Sequence, residues 1–179
     1  MTKIKVKKIK LGIVGGGSGS WIGHVHRIAA RFDDQYEIVS GVFSRNTKNS
    51  SKFGQSLGID KVRCYSDYKK MANLEAKRED GIDVVAIMTP PGSHQIIAET
   101  FINKNINVIS DKPFAGNLKQ AKSLFKKIKS NKKIKYALTH NYSAYPMVEK
   151  QKIWFQKVRL EKLILLTLSM SKIGQMGIR

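Results

Sequence analysis

Acidic residues are scarce in this chain: 13 Asp and Glu stand against 33 Lys and Arg in 179 residues, a net charge of +20. Cysteine is scarcer still. Cys64 stands alone, which excludes an internal disulfide and a cysteine-built metal cluster, and no metal site is expected. Long apolar runs are missing too. The longest candidate, Leu160 to Met170, includes Glu161 and Lys162 and is too short to span a bilayer. Met1 to Lys10 alternates lysine with isoleucine and valine, and has no apolar secretory core with a small-residue cleavage site. These absences point to a reducing, cytoplasmic setting without membrane association.

What is present is a globular composition, 41% apolar. The basic excess suggests nucleic acid or an anionic surface as a partner, but the lysines run along the whole chain. From Asn117 to Ser130, Lys119, Lys122, Lys126 and Lys129 recur at helical spacing, with Ala121, Leu124, Phe125 and Ile128 opposite. That is an amphipathic helix with a solvated basic face. Zinc-finger spacing and RNP-type aromatic motifs are absent. A basic nucleic-acid-binding protein on an α/β scaffold therefore ranks behind the readings below.

Apolar β-type runs alternate with helical patterns. Strands are predicted over Ile9–Val14, Tyr36–Phe43, Val62–Tyr65, Ile82–Met88, Asn107–Ser110 and Lys135–Thr139. Helices are predicted over Ser20–Phe32, Thr47–Leu57, a segment capped by Ser66 and running through Ala76, Gly92–Asn103, Asn117–Ser130 and Pro146 to roughly Lys157. In the first helix Ile22, Val25, Ile28 and Ala29 are available for packing. Ile82–Met88 is almost uninterrupted β-branched and apolar sequence, as in a central parallel strand covered on both faces. Strand and helix alternating in this way give an α/β fold, a doubly wound parallel sheet of the Rossmann type, with right-handed crossovers. Residues 1–141 are assigned to this dinucleotide-binding domain and residues 142–179 to the start of a second.

Four sites carry chemistry. Gly12-Ile13-Val14-Gly15-Gly16-Gly17-Ser18-Gly19-Ser20 lies between the first strand and the first helix. A pyrophosphate needs backbone N–H groups at close range and the positive end of a helix, which a glycine turn supplies. Gly15 and Gly17 fit the first two glycines of G-x-G-x-x-G, while Ser20 occupies the third position. Phe43-Ser44-Arg45-Asn46 ends the second strand without the Asp or Glu that binds the ribose hydroxyls of NAD, and serine followed by arginine suits the 2′-phosphate of NADP. A capping serine and a surface arginine account for that pair equally well. Met88-Thr89-Pro90-Pro91-Gly92-Ser93-His94 follows the fourth strand, where ligands bind outside the carboxyl ends. Ser110-Asp111-Lys112-Pro113 follows the fifth. A lysine there points at the same crevice and could act as a general acid or as an electrostatic clamp on a substrate oxygen.

In this order the four sites resemble the Gfo/Idh/MocA family of oxidoreductases. Asp111-Lys112-Pro113 is similar to that family's Glu-Lys-Pro signature, with Asp for Glu. Thr89-Pro90 with His94 is similar to its Thr-Pro-x-x-x-His loop, and Thr139-His140-Asn141-Tyr142 to the end of its nucleotide domain. The resemblance covers residue 9 to about residue 156. It implies hydride transfer between NAD or NADP and a carbinol carbon of a sugar or cyclitol, with Lys112 as the active-site lysine and a cis Lys112–Pro113 bond. Gly15, Gly16, Gly17, Ser18, Gly19, Ser20, Ser44, Arg45, Thr89, Pro90, His94, Asp111 and Lys112 form the expected cofactor-binding set.

By the resemblance, the family's second domain carries a catalytic His or Asp, and it is expected to be missing here after its first helix. His140 comes too early for that role. Residues from about Lys157 are expected to be read in a shifted frame, because codons for Leu160 to Gly177 can be chosen so that skipping two nucleotides yields an alternating, strand-like peptide. The alternative is a genuine apolar strand, Leu163 to Leu168, ending a naturally short protein. A truncated oxidoreductase that binds the cofactor without turnover is the first expectation. A stand-alone dinucleotide-binding or sensing module is the second. Apolar surface around Pro146 to Leu168 leaves homo-oligomerisation open.

Overall fold

The computed structural model describes residues 7–157. It has one compact unit that ends at Thr139 and another that opens at His140. The first unit is a six-stranded, wholly parallel sheet in the order β3-β2-β1-β4-β5-β6. The strands are β1 (Ile9–Gly15), β2 (Tyr36–Val42), β3 (Cys64–Tyr65), β4 (Val84–Met88), β5 (Asn107–Asp111) and β6 (Tyr136–Thr139). The helices between them are α1 (Trp21–Phe32), α2 (Thr47–Ser56), α3 (Tyr68–Glu75), α4 (His94–Ile102) and α5 (Leu118–Ser130). The chain leaves β1 towards β2 on one side and β4 towards β5 on the other. β1 and β4 therefore flank the point where the winding reverses, the ligand-binding position of doubly wound sheets. The second unit holds a short 3-10 turn, Asn141–Ala144, and α6 (Pro146–Lys157). Proline opens α6, where its missing N–H costs nothing.

Period-two alternation sends the two faces of each central strand into separate cores. Val85 and Ile87 of β4 join Met71 and Ala72 of α3, Ile97 and Phe101 of α4, and Leu124 of α5. Val84, Ala86 and Met88 join Leu11, Ile13, Phe43 and Cys64, packed by Ile22 and Ala30 of α1 and Phe53 of α2. Four helices start at a side-chain oxygen that accepts from their first turn: Ser20 for α1, Asn46 for α2, Asp67 for α3 and Asn117 for α5. On α5, Lys119, Lys122, Lys126 and Lys129 are all exposed, as the lysine spacing predicts. No described helix is long and apolar enough to cross a membrane.

The structure corrects the predicted elements in four places. Val62 and Arg63 form a 3-10 turn, Lys61–Arg63, because the Asp60 carboxylate accepts from the Val62 amide, so β3 begins only at Cys64. Asp67, and not Ser66, caps α3; the Ser66 hydroxyl instead accepts from Thr47 Oγ1 at 3.0 Å. α4 starts at His94, since Pro91–Ser93 makes a 3-10 turn first. Val25 and Ile28 of α1 are 38% and 52% exposed, and the helix buries Gly23 and Arg27 instead. The expected strand Leu163–Leu168 and the shifted frame lie outside the described residues.

One buried polar cluster ties the two-residue β3 into the sheet. Glu75 at the end of α3 is 1% exposed and takes a bidentate contact from the Arg63 guanidinium, with Arg63 Nε at 3.1 Å. Tyr65 Oη donates to the same carboxylate at 3.0 Å. Burial, and then the adjacent Glu75 charge, push the Tyr65 phenol up to about 12. Breaking a buried pair leaves an uncompensated charge, so Glu75→Gln is expected to lower the unfolding free energy by roughly 3–5 kcal/mol in urea titration. A phenol raised in the folded state contributes stability that is complete below its unfolded value near 10 and is lost as pH climbs towards about 12. In Tyr65→Phe that alkaline loss should shrink in a pH series of thermal melts, and an unchanged slope would count against the cluster.

Candidate functional site

The crevice begins where β1 runs out beside β4. Gly15 pairs with Met88 across the two strands and has φ +90°, a conformation L side chains rarely adopt. A Cβ there would fall inside the Met88 carbonyl, 2.7 Å from its carbon. The next turn brings Gly16 onto α1. A Cβ on Gly23 would lie 2.5 Å from the Gly16 Cα, so strand loop and helix meet backbone to backbone. Gly23 thus does the helix-packing work of the third glycine in the dinucleotide fingerprint, the position the sequence spacing gives to Ser20. Ser20 caps α1 instead, its hydroxyl accepting from the Gly23 amide at 3.1 Å. Arg27, one turn further on, is buried, donates to the Gly16 carbonyl at 2.5 Å and lies over the Phe53 ring at 5.2 Å. Gly17 faces the Phe43 carbonyl, while Ser18 and Gly19 stand exposed at the mouth.

A cavity of about 700 Å³ opens beside this loop. Its walls include Gly15, Ser44, Arg45, Thr89 and Pro90, so the ends of β1, β2 and β4 contribute the predicted residues to one space. Asp67, Tyr68 and Ser93 join them. The Asp67 carboxylate is engaged by the Lys69 amide at 3.0 Å. A neighbouring recess of about 500 Å³ is lined by Ser18, Ser44, Asn49, Lys52 and Phe53. No acidic residue occurs from Phe43 to Ser56. The Ser44 hydroxyl accepts from the Asn46 amide at 3.1 Å, and Arg45 is exposed.

The end of β5 is built differently. Asp111 Oδ1 accepts from Thr139 Oγ1 at 2.9 Å and lies 3.7 Å from His26 Nε2. Burial holds the His26 imidazole below its ordinary value, against the upward pull of the Asp111 carboxylate. Lys112 is exposed and precedes a cis peptide bond to Pro113. Neither Asp111 nor Lys112 lines the 700 Å³ cavity. His94, expected among the cofactor ligands, is 1% exposed, and both its ring nitrogens are spent on loop carbonyls. It does not line the 700 Å³ cavity. Sequence reasoning passes over Gly23, Arg27, His26 and Asp67. Only Gly23 leaves a signal in the chain, an extra glycine in the first turn of a helix that follows a glycine loop.

The profile of the Gfo/Idh/MocA family, described as an oxidoreductase family with an NAD-binding Rossmann fold, matches residues 9–140. The uncharacterized oxidoreductase YfiI of Bacillus subtilis is 39% identical over 112 residues, which are 62% of this chain and 28% of that protein. Among solved structures, an oxidoreductase from Sinorhizobium meliloti is 45% identical with a TM-score of 0.78, over 84% of this chain and 42% of that one. An inositol dehydrogenase homologue from Azotobacter vinelandii, complexed with NADH and myo-inositol, is 32% identical with a TM-score of 0.79, over 85% of this chain and 40% of that one. The chain spans less than half the length of these relatives.

The packing at the loop makes a local forecast. Gly23→Ala puts a methyl into the Gly16 backbone and should destabilise the fold by about 1–3 kcal/mol through overpacking. Gly19→Ala meets nothing within 4 Å and carries only the strain of φ +77°, about 1 kcal/mol. Urea titration of both variants checks the order, and a larger loss at Gly19 would contradict the backbone-contact account.

Proposed function

This chain belongs to the Gfo/Idh/MocA oxidoreductase family, and from that premise we propose that it binds a nicotinamide dinucleotide across the carboxyl ends of β1, β2 and β4, with Lys112 facing the reacting carbon of a sugar- or cyclitol-like substrate. The observation that carries this reading is the Gly15–Met88 contact, a backbone approach with no room for a side chain beside the cavity at the winding reversal. The residues fit such a group. A side chain at Gly15 or Gly17 would intrude on neighbouring backbone carbonyls, and the cavity beside the loop has the dimensions of a nucleotide site. The loop amides of Gly16 to Ser20 and the start of α1 would hold the pyrophosphate, since helix N-termini favour anions. Thr89 and Pro90 would border the nucleotide on its β4 side.

When bound, the nicotinamide supplies or takes up the hydride. The chain's own part is to place and polarise the substrate. The Lys112 ammonium would donate to the substrate oxygen, clamping it and holding the proton it gains or loses. Asp111, fixed by Thr139, would orient the start of that loop. For the cofactor, Ser44 and Arg45, backed by Lys52 across the adjoining recess, favour the 2′-phosphate of NADP. No carboxylate stands at the end of β2 itself to bind a 2′-hydroxyl, and the Asp67 carboxylate, which lines the same cavity, accepts from the Lys69 amide. Among relatives, a Bacillus subtilis protein 26% identical over 123 residues is a scyllo-inositol 2-dehydrogenase that uses NADP. The Azotobacter homologue is complexed with NADH, so binding to both dinucleotides is the comparison that decides.

Titration of the chain with NADPH and NADH, followed by Trp21 fluorescence at the start of α1, tests the proposal. Saturable binding is expected, tighter for NADPH. Gly15→Val should abolish it. Arg45→Ala should weaken NADPH about tenfold or more, the scale of one lost charge-assisted hydrogen bond, and leave NADH nearly unchanged. Equal binding by wild type and Gly15→Val would remove the dinucleotide reading, and tighter NADH binding would remove the NADP preference.

A further inference from the structure

Two loops border the crevice, one after β4 and one after β5, and a single buried side chain joins them. His94 opens α4, and its ring is sealed from solvent at 1% exposure. Its Nδ1 lies 2.8 Å from the Pro113 carbonyl oxygen, and its Nε2 lies 2.7 Å from the Thr89 carbonyl oxygen. A backbone carbonyl can only accept a hydrogen bond. Neutral imidazole carries one N–H and one lone pair, so it can satisfy one of these oxygens and must turn a lone pair towards the other. At such short separations that arrangement is repulsive, and it leaves a buried acceptor unpaired. Imidazolium, which donates from both nitrogens, is the form that satisfies both.

We propose that His94 is a positioning residue, held as an imidazolium whose two N–H groups fasten the Thr89 loop to the Lys112–Pro113 loop. The two carbonyl dipoles converge on the ring and offset the burial of its charge, and charge-assisted bonds of this kind are about twice as strong as neutral ones. The Thr89 side is independently secured. Ser93 Oγ donates to the Pro90 carbonyl at 2.8 Å and lies 2.9 Å from Thr89 Oγ1. The Pro113 side holds the residue after Lys112, so the spacing between the β4 loop and the lysine is set through the histidine ring. The role of Lys112 rests on the proposed function; the state of the ring does not.

The test is a long-range ¹H–¹⁵N correlation of the histidine rings in the uniformly labelled full chain at pH 7, with His94 assigned through bonds. Both His94 nitrogens are expected at protonated positions, with ring protons slow to exchange. His94→Phe keeps a ring but no donor, and amide exchange at Ser93 and Gly116, whose N–H groups donate to the Pro90 carbonyl and to Gln120 Oε1, should rise together by roughly tenfold or more while Val85 in β4 stays protected. His94→Gln, which keeps a donor amide, should recover part of that protection. One His94 nitrogen at an unprotonated position overturns the proposal, on wild-type protein whether or not the variants fold. So does unchanged exchange at Gly116 in His94→Phe. A chain that binds neither dinucleotide yet shows both ring protons would sink the cofactor reading alone.

Discussion

Backbone lying against backbone at the reversal of the winding is the constraint on which the rest of the structure depends. Gly15 sits on the Met88 carbonyl and Gly23 on Gly16, so at these two points β1 meets β4 and the loop meets α1 backbone to backbone. That convergence sets the inward face of α1: with Gly23 against the loop, the face one turn on carries Arg27 inward, and Val25 and Ile28 turn outward. Arg27 then meets the Gly16 carbonyl that the tight turn would otherwise leave unpaired in the interior. A larger residue at either contact would push the helix off the sheet and close the space that the loop frames.

Around this contact, the buried polar groups act as ties between segments that are close in space and distant in sequence. Arg63 and Tyr65 hold the two-residue β3 to α3 through Glu75. His94 holds the loop after β4 to the loop after β5. Thr139 on β6 holds Asp111 on β5. Each tie satisfies groups whose isolation in the interior would be destabilising, and each fixes a strand end or loop near the crevice. The apolar cores supply most of the driving force, and the polar ties determine where the loop residues come to rest.

The parallel sheet and the order of its elements are legible in the sequence because they follow from periodicity, which is local. The run Ile82–Met88, the glycine loop and the lysine spacing of α5 each identify their own element. The order of the glycine loop, Thr89-Pro90 and Asp111-Lys112-Pro113 suffices to suggest the family, which the match over residues 9–140 shows. What sequence reasoning misses is long-range. Val62 looks like a strand residue by its branching, yet the Asp60 carboxylate folds it into a turn where it is 68% exposed. Gly23 and Arg27 acquire their parts only when α1 lies against the loop. His94 looks like a crevice residue by its place in the motif, but it is drawn inward by carbonyls five and 19 residues away.

The central claim is that the backbone contacts at Gly15 and Gly23 frame a dinucleotide site at the ends of β1, β2 and β4. Amide chemical-shift mapping of the labelled chain on addition of NADPH tests it most directly. The account predicts shifts concentrated at Gly15 to Ser20, Ser44, Arg45, Thr89 and Ser93, with the lysine face of α5 silent. Shifts confined to Lys119, Lys122, Lys126 and Lys129, or none at saturating NADPH, would contradict it.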